Sequence, residues 1–468
     1  MPSAPDAYFL FATMGIGILF PWNALITSTA YFQLFLGSGI TFVISNAYTV
    51  SLFLTLLATC FKKFDGYLTV QVGYTVMLVP LFLLTFMHTP TVSRLTVIGC
   101  AVGIGDGLVQ SSLFTVASNC GGKYTSAVMF GNGMSGLSVS ILKILCMAVV
   151  GGSGLGGEET SARVYFGVSS CVLCCCCVSA ELGRRKWLFR TDIKDDDDEE
   201  EDGGGEGGGS RVIEMVGLRT RDDVDDPVDV GNVQVVAGQR EEDYHSRGFI
   251  AQFRIYWSIL KIIMLPLLTV FFTFFVTLAV FPGLVSLIEP HNVSFNREWY
   301  SVLLVTAFNL FDCVGRGGVS YFLVKIEEGD AWPNNFLPQI EEGMRIVEET
   351  EGGGEEIQGF NYAPDFLRKV SSIAIGRTVF ILVFGMLAGG GGGGGGSYHD
   401  FYSFTAVAFM ATSNGWTATV SMMVGPRMIE GTKAKEKANN ILLLGLFAGL
   451  AVGSSFGTFV EEVFLAET

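Results

Sequence analysis

Eleven apolar segments recur along this chain, each long enough to cross a lipid bilayer, and they leave few folds open to it. By hydropathy they cover residues 7–32, 40–61, 67–88, 93–117, 124–150, 163–182, 251–282, 299–324, 368–388, 400–424 and 438–463. Half of the 468 residues are hydrophobic and the mean hydropathy is +0.46, a balance a soluble domain of this size does not reach. In lipid a spanning backbone must satisfy its own hydrogen bonds, so the runs are expected to be helices and the fold class an all-α polytopic membrane protein of about 11 transmembrane helices. The N-terminal run MPSAPDAYFLFATMGIGILFPWN is read as the first of them, because it lacks the basic start and small-residue cleavage site of a secretory signal.

Between the sixth and seventh runs lies an acidic stretch containing DDDDEEEDGGGEGGG, too charged and too poor in aromatic residues to bury a core. The expected organisation is therefore 1–182 as six helices, 183–250 as a disordered linker and 251–468 as five helices. The last part is interrupted by an acidic loop at 326–360 and a glycine-rich loop at 389–396. Residues 191–245 hold 19 of the 45 acidic residues and 326–358 another 10, with only 6 of the 29 basic ones between them. The remaining body thus has 23 basic against 16 acidic residues, so the acidity belongs to two loops and not to the membrane core.

Basic residues set the orientation. Lys62 and Lys63, Lys123, Arg184 to Lys186, Arg368, Lys369 and Lys433 all fall on one side if the N-terminus is cytoplasmic. An odd number of spans then puts the C-terminus outside, along with the sequon Asn292-Val-Ser294. The plasma membrane is the expected location. Cys171, Cys174, Cys175, Cys176 and Cys177 crowd one span, but consecutive residues on a helix point in all directions and no histidine accompanies them, so no metal is expected.

The chemistry is carried by polar residues inside apolar runs. Asp312 and Arg316 stand four apart in SVLLVTAFNLFDCVGRGGVSYF, on one helical face and within ion-pair reach. A charge at this depth costs roughly 2.5–3.5 kcal/mol on insertion scales, so such pairs mark a cavity or a partner. Asp106 and Gln110 repeat the spacing in GIGDGLVQSSLF. A carboxyl there resists ionisation through desolvation and is a candidate for carrying protons; Lys143 is read either as its counter-ion or as snorkelling to the surface. Pro21-Trp22-Asn23 offers a kink, a flat aromatic face and an amide. Gly131, Gly133, Ser135 and Gly136 read as a packing face, and Arg377 and Asn414 as further buried polar groups of structural or functional use. No phosphate-binding loop is present, which argues against a nucleotide-driven pump; the chain is not expected to be an enzyme, and no cofactor or nucleic acid is expected.

FPWNALITSTAYF, GLVQSSLF, FNLFDCVGR, SNGWTATVSMMVGP and the glycine-rich last span together resemble the signature segments of the equilibrative nucleoside transporter family, in the family's order. The resemblance implies a major-facilitator-like fold of 6+5 helices that moves nucleosides, or nucleobases, by alternating access, facilitatively or with protons. It implies that Trp22, Asn23 and Gln110 meet the base, that Asp312 and Arg316 meet base and ribose, and that Ile26 is a further substrate-binding residue. The acidic residue at 106 is similar to plant and protist-type members; animal members carry a small residue there. Two other classes are weighed against this one: a sugar or organic-ion carrier of the major-facilitator type, expected to have twelve spans, and a receptor, expected to have seven.

Overall fold

The computed structural model describes residues 4–37, 40–61, 65–87, 90–150, 155–186, 254–281, 283–291, 297–328, 365–388, 399–429 and 431–465. The acidic linker, most of the loop at 326–360, the octaglycine stretch and the sequon lie outside the described residues. The described chain is nearly all helical. The helices are α1 (Ala4–Thr27), α2 (Ile40–Phe61), α3 (Gly66–Thr85), α4 (Val92–Cys120), α5 (Gly122–Val150), α6 (Leu155–Arg185), α7 (Met264–Val280), α8 (Arg297–Glu328), α9a (Asp365–Gly376), α9b (Val379–Ala388), α10 (His399–Val424) and α11 (Thr432–Leu465). They belong to one compact unit, Met1–Arg190 with Ser258–Thr468; of the second unit, Thr191–Trp257, only residues 254–257 are described.

Three expectations shift in detail. The first span ends at Thr27, and a short second helix, Thr29–Leu36, follows a break at Ser28. Ser28 supplies a hydroxyl that competes with the helix ladder, donated back to the Ala24 carbonyl at 2.8 Å. The ninth span is two pieces, broken at Arg377-Thr378. Among the described residues, ten of the expected spans are both long and apolar enough to cross a membrane, and α10 falls short. It is long, but it spends its inner face on Asn414, Thr417, Thr419 and Ser421, all buried, and so loses hydropathy without losing its place in the bundle.

Helix ends follow local chemistry. Asp65 accepts from the Leu68 N–H at 2.7 Å and starts α3. Gly121, at φ 129°, makes the turn from α4 to α5, a conformation that side chains with a Cβ rarely adopt. Beyond that, packing decides. In the N-terminal half α1 lies on α5 and α2 on α4; in the C-terminal half α7 lies on α11 and α8 on α10. The first and fifth helices and the second and fourth helices of each half thus pair in the same way. The halves meet where α5 packs on α8 and α10, and where α11 packs on α2 and α4.

Large apolar side chains reach the surface, and charged and polar ones lie inside an otherwise apolar core. Phe9, Leu83, Phe86, Val97, Val149 and Phe409 are more than half exposed. Asp106, Gln110, Asp312, Arg316, Arg377 and Asn414 are all buried. That arrangement fits lipid outside and buried polar groups of functional use inside.

Candidate functional site

Each half of the molecule holds a cluster of buried polar side chains. In the N-terminal half α4 carries Asp106 and Gln110 one turn apart. Gln110 Nε2 donates to Asp106 Oδ1 at 3.0 Å, and the Tyr48 hydroxyl of α2 donates to Asp106 Oδ2. Tyr48 can reach because α2 and α4 approach closely at Gly103, where a Cβ would overlap the Tyr48 carbonyl. Its ring stacks on Trp22 of α1, with centroids 3.9 Å apart and planes 11° from parallel. Beside Trp22, Asn23 Nδ2 donates to Ser135 Oγ of α5 at 3.0 Å. One chain of contacts therefore runs from Gln110 through Asp106 and Tyr48 to the indole.

In the C-terminal half Asp312 accepts twice. Arg316 Nε donates to Oδ2 at 2.7 Å, and Asn414 Nδ2 of α10 donates to Oδ1 at 2.7 Å. Asn414 Oδ1 in turn accepts from Thr277 Oγ1 at 2.7 Å and from Arg377 Nη2 at 3.4 Å. Arg377, at the break between α9a and α9b, also donates to the Thr273 carbonyl at 2.9 Å, to Thr277 Oγ1 at 2.7 Å and to the Met410 carbonyl at 3.3 Å. Arg316 thus binds the carboxylate directly, and Arg377 is linked to it through Asn414. Close backbone approach again makes this geometry: a Cβ at Gly415 would overlap the Asp312 carbonyl, and one at Gly315 the Thr412 carbonyl.

Helix α5 joins the two clusters. The Arg316 side chain crosses at Gly133, where a Cβ would lie 2.9 Å from Arg316 Cδ, and its Nη1 donates to the Met129 carbonyl at 3.4 Å. Asn309 Nδ2 donates to Ser140 Oγ at 2.7 Å, and its amide lies against Gly136. Gly131 packs α5 onto α1 as a small-residue face should, but Gly133 and Gly136 give room to the side chains of α8 across the central interface.

Of the residues expected from sequence, Trp22, Asp106 and Gln110 come together through Tyr48, and Asp312, Arg316, Asn414 and Arg377 form one network. Ile26 is half-buried, one turn beyond Trp22. Lys143 is half-buried on α5, and the hydrogen bonds of Asp106 go to Tyr48 and Gln110, not to this lysine. Sequence reasoning missed Tyr48, Thr273 and Thr277. The threonines leave a trace, since Thr269, Thr273 and Thr277 repeat every fourth residue in an otherwise apolar helix; Tyr48 leaves none. Cys176 is buried and Cys171, Cys174 and Cys175 are exposed, and no group among the described residues is suited to hold a metal ion.

A family model described as "Nucleoside transporter" matches residues 95–329, half of the chain. The chain belongs to the nucleoside transporter family. The match includes Asp106, Gln110, Asp312 and Arg316 of this transporter. Among curated relatives, Equilibrative nucleotide transporter 1 of Arabidopsis thaliana is 25% identical over 337 residues, covering 69% of this chain and 66% of that protein. Equilibrative nucleoside transporter 1 of Mus musculus is 23% identical over 499 residues, covering 96% and 95%. Among solved structures, the major facilitator superfamily proton:xylose symporter XylE superposes with a TM-score of 0.58 at 10% identity, covering 98% of this chain and 90% of the other. That likeness establishes a major-facilitator fold for this multi-pass integral membrane protein.

Proposed function

We propose that this protein carries nucleosides across a membrane by alternating access, with the substrate held between the two halves at the level of Trp22 and Asp312. The observation that carries the reading is the pairing of an indole face and Gln110 in one half with Asp312 and Arg316 in the other. An aromatic face suits a heterocyclic base, and a carboxylate with a guanidinium suits ribose hydroxyls, which both donate and accept. Family membership and the two-bundle fold support the same reading. Nucleobases, which lack the sugar, would use the N-terminal cluster alone.

Asp106 supports proton coupling. It is fully buried and its partners are Tyr48 and Gln110, with no cation between them; Tyr74 faces it from α3 but gives its hydroxyl to the Met14 carbonyl at 2.6 Å. A buried carboxyl without a counter-charge is a place for a proton to bind and leave. We place the N-terminus in the cytoplasm and the C-terminus outside, on the distribution of basic residues, and the protein in the plasma membrane.

Uptake of labelled nucleosides and bases in transporter-deficient cells tests this. Saturable nucleoside uptake, competed by nucleosides and not by sugars, is expected; competition by sugars alone would overturn the assignment. Uptake should rise as external pH falls, and Asp106→Asn should lose that response while still exchanging substrate. A flat wild-type pH profile would leave a facilitative carrier.

A further inference from the structure

Tyr48 and Asp106 do more than fill the space behind the site. A carboxylate only accepts hydrogen bonds, so the end of the Gln110 carboxamide that meets Asp106 must be its NH2 group. That is the arrangement present, with Nε2 donating to Asp106 Oδ1 at 3.0 Å. The Gln110 carbonyl oxygen is thereby turned away from Asp106, and it accepts no hydrogen bond among the described residues. The other carboxylate oxygen is taken by Tyr48, whose ring covers one face of Trp22. Trp22 is half-buried and has no second ring partner among the described residues.

We propose that Tyr48 and Asp106 are positioning residues that set what the site shows to a base. Asp106 turns Gln110 so that a carbonyl acceptor faces the substrate, and Tyr48 backs Trp22 so that a single indole face is left for stacking. The site then selects bases that present an N–H donor over otherwise similar bases that present none. The inference rests on the nucleoside reading above and deepens it.

The test compares matched substrates at mildly alkaline pH: adenosine against purine riboside, which lacks the exocyclic amino group, and uridine against 3-methyluridine, which lacks the ring N–H. In at least one of the two pairs the wild-type transporter should favour the donor-bearing partner by about tenfold in KM, the cost of leaving one buried acceptor unpaired. In Asp106→Asn the neighbour can donate as well as accept, Gln110 is free to turn, and the preference should fall to within about twofold. Tyr48→Phe keeps the stack and loses the hydroxyl, and should give an intermediate ratio. Tyr48→Leu removes the backing ring and should raise KM for all four substrates alike, leaving the ratio. Quantities are normalised to protein at the membrane; if Asp106→Asn does not reach it, the Tyr48→Phe ratio decides. Equal KM within both wild-type pairs, or a preference that survives Tyr48→Phe and Asp106→Asn at full size, overturns the proposal. Absence of wild-type uptake of adenosine and uridine alike would instead overturn the nucleoside reading beneath it.

Discussion

Asp312 is the carboxylate of the C-terminal cluster, with one oxygen taken by Arg316 and the other by Asn414, which in turn accepts from Arg377. Asp312→Ala leaves Arg316 buried without its carboxylate, a loss of about 3 kcal/mol or more. Nucleoside uptake should be near zero with protein still at the membrane, and Arg316→Ala should look the same; normal uptake by either variant would remove the pair from the transport cycle. Arg377 acts at one remove. It closes two backbone carbonyls and the Thr277 hydroxyl, so Arg377→Lys, which keeps the charge but loses the planar fork, should lower thermal stability in detergent as well as uptake. A variant with unchanged melting and reduced uptake would instead give Arg377 a direct part in binding.

Among the elements, glycine-mediated helix contacts decide where the functional side chains stand. Helix α11 carries Gly445, Gly449, Gly453 and Gly457 on one face against α7, the same device that holds α10 to α8 at Gly415. Gly415→Val forces these two helices apart exactly where Asn414 reaches Asp312, so it should cost about 1–3 kcal/mol of stability and depress uptake. Gly449→Val sits away from the clusters and should lower the melting temperature with a smaller effect on KM. Equal effects of the two on KM would mean that α10 does not position the site. Helix existence was legible from apolar length alone, as α4, α5 and α7 illustrate. The breaks at Ser28 and at Arg377-Thr378 were not: at Ser28 the hydroxyl turns back to the Ala24 carbonyl of its own helix, and at Arg377 the guanidinium finds carbonyls of α7 and α10.

For the molecule as a whole, the contacts between halves are where transport must act. Ser111 Oγ donates to Asn440 Oδ1 at 2.9 Å and Asn439 Nδ2 donates to Ser118 Oγ at 2.7 Å, tying α4 to α11 near the ends where Arg427 and Lys433 lie. Opening that end breaks both bonds. Asn440→Ala should therefore favour the state open there by about 1 kcal/mol, seen as a several-fold change in the ratio of influx KM to efflux KM. An unchanged ratio would place the gate elsewhere. What the sequence determined by itself was the helical membrane architecture, the pairs Asp106–Gln110 and Asp312–Arg316, and the family, because apolar length and four-residue spacing are local properties of the chain. Only the tertiary structure decided that Tyr48 bridges Trp22 to Asp106 and that Asn414 and Arg377 join Asp312. Each of these is a contact between helices far apart in sequence, and such contacts depend on how closely the backbones approach, which no single helix encodes.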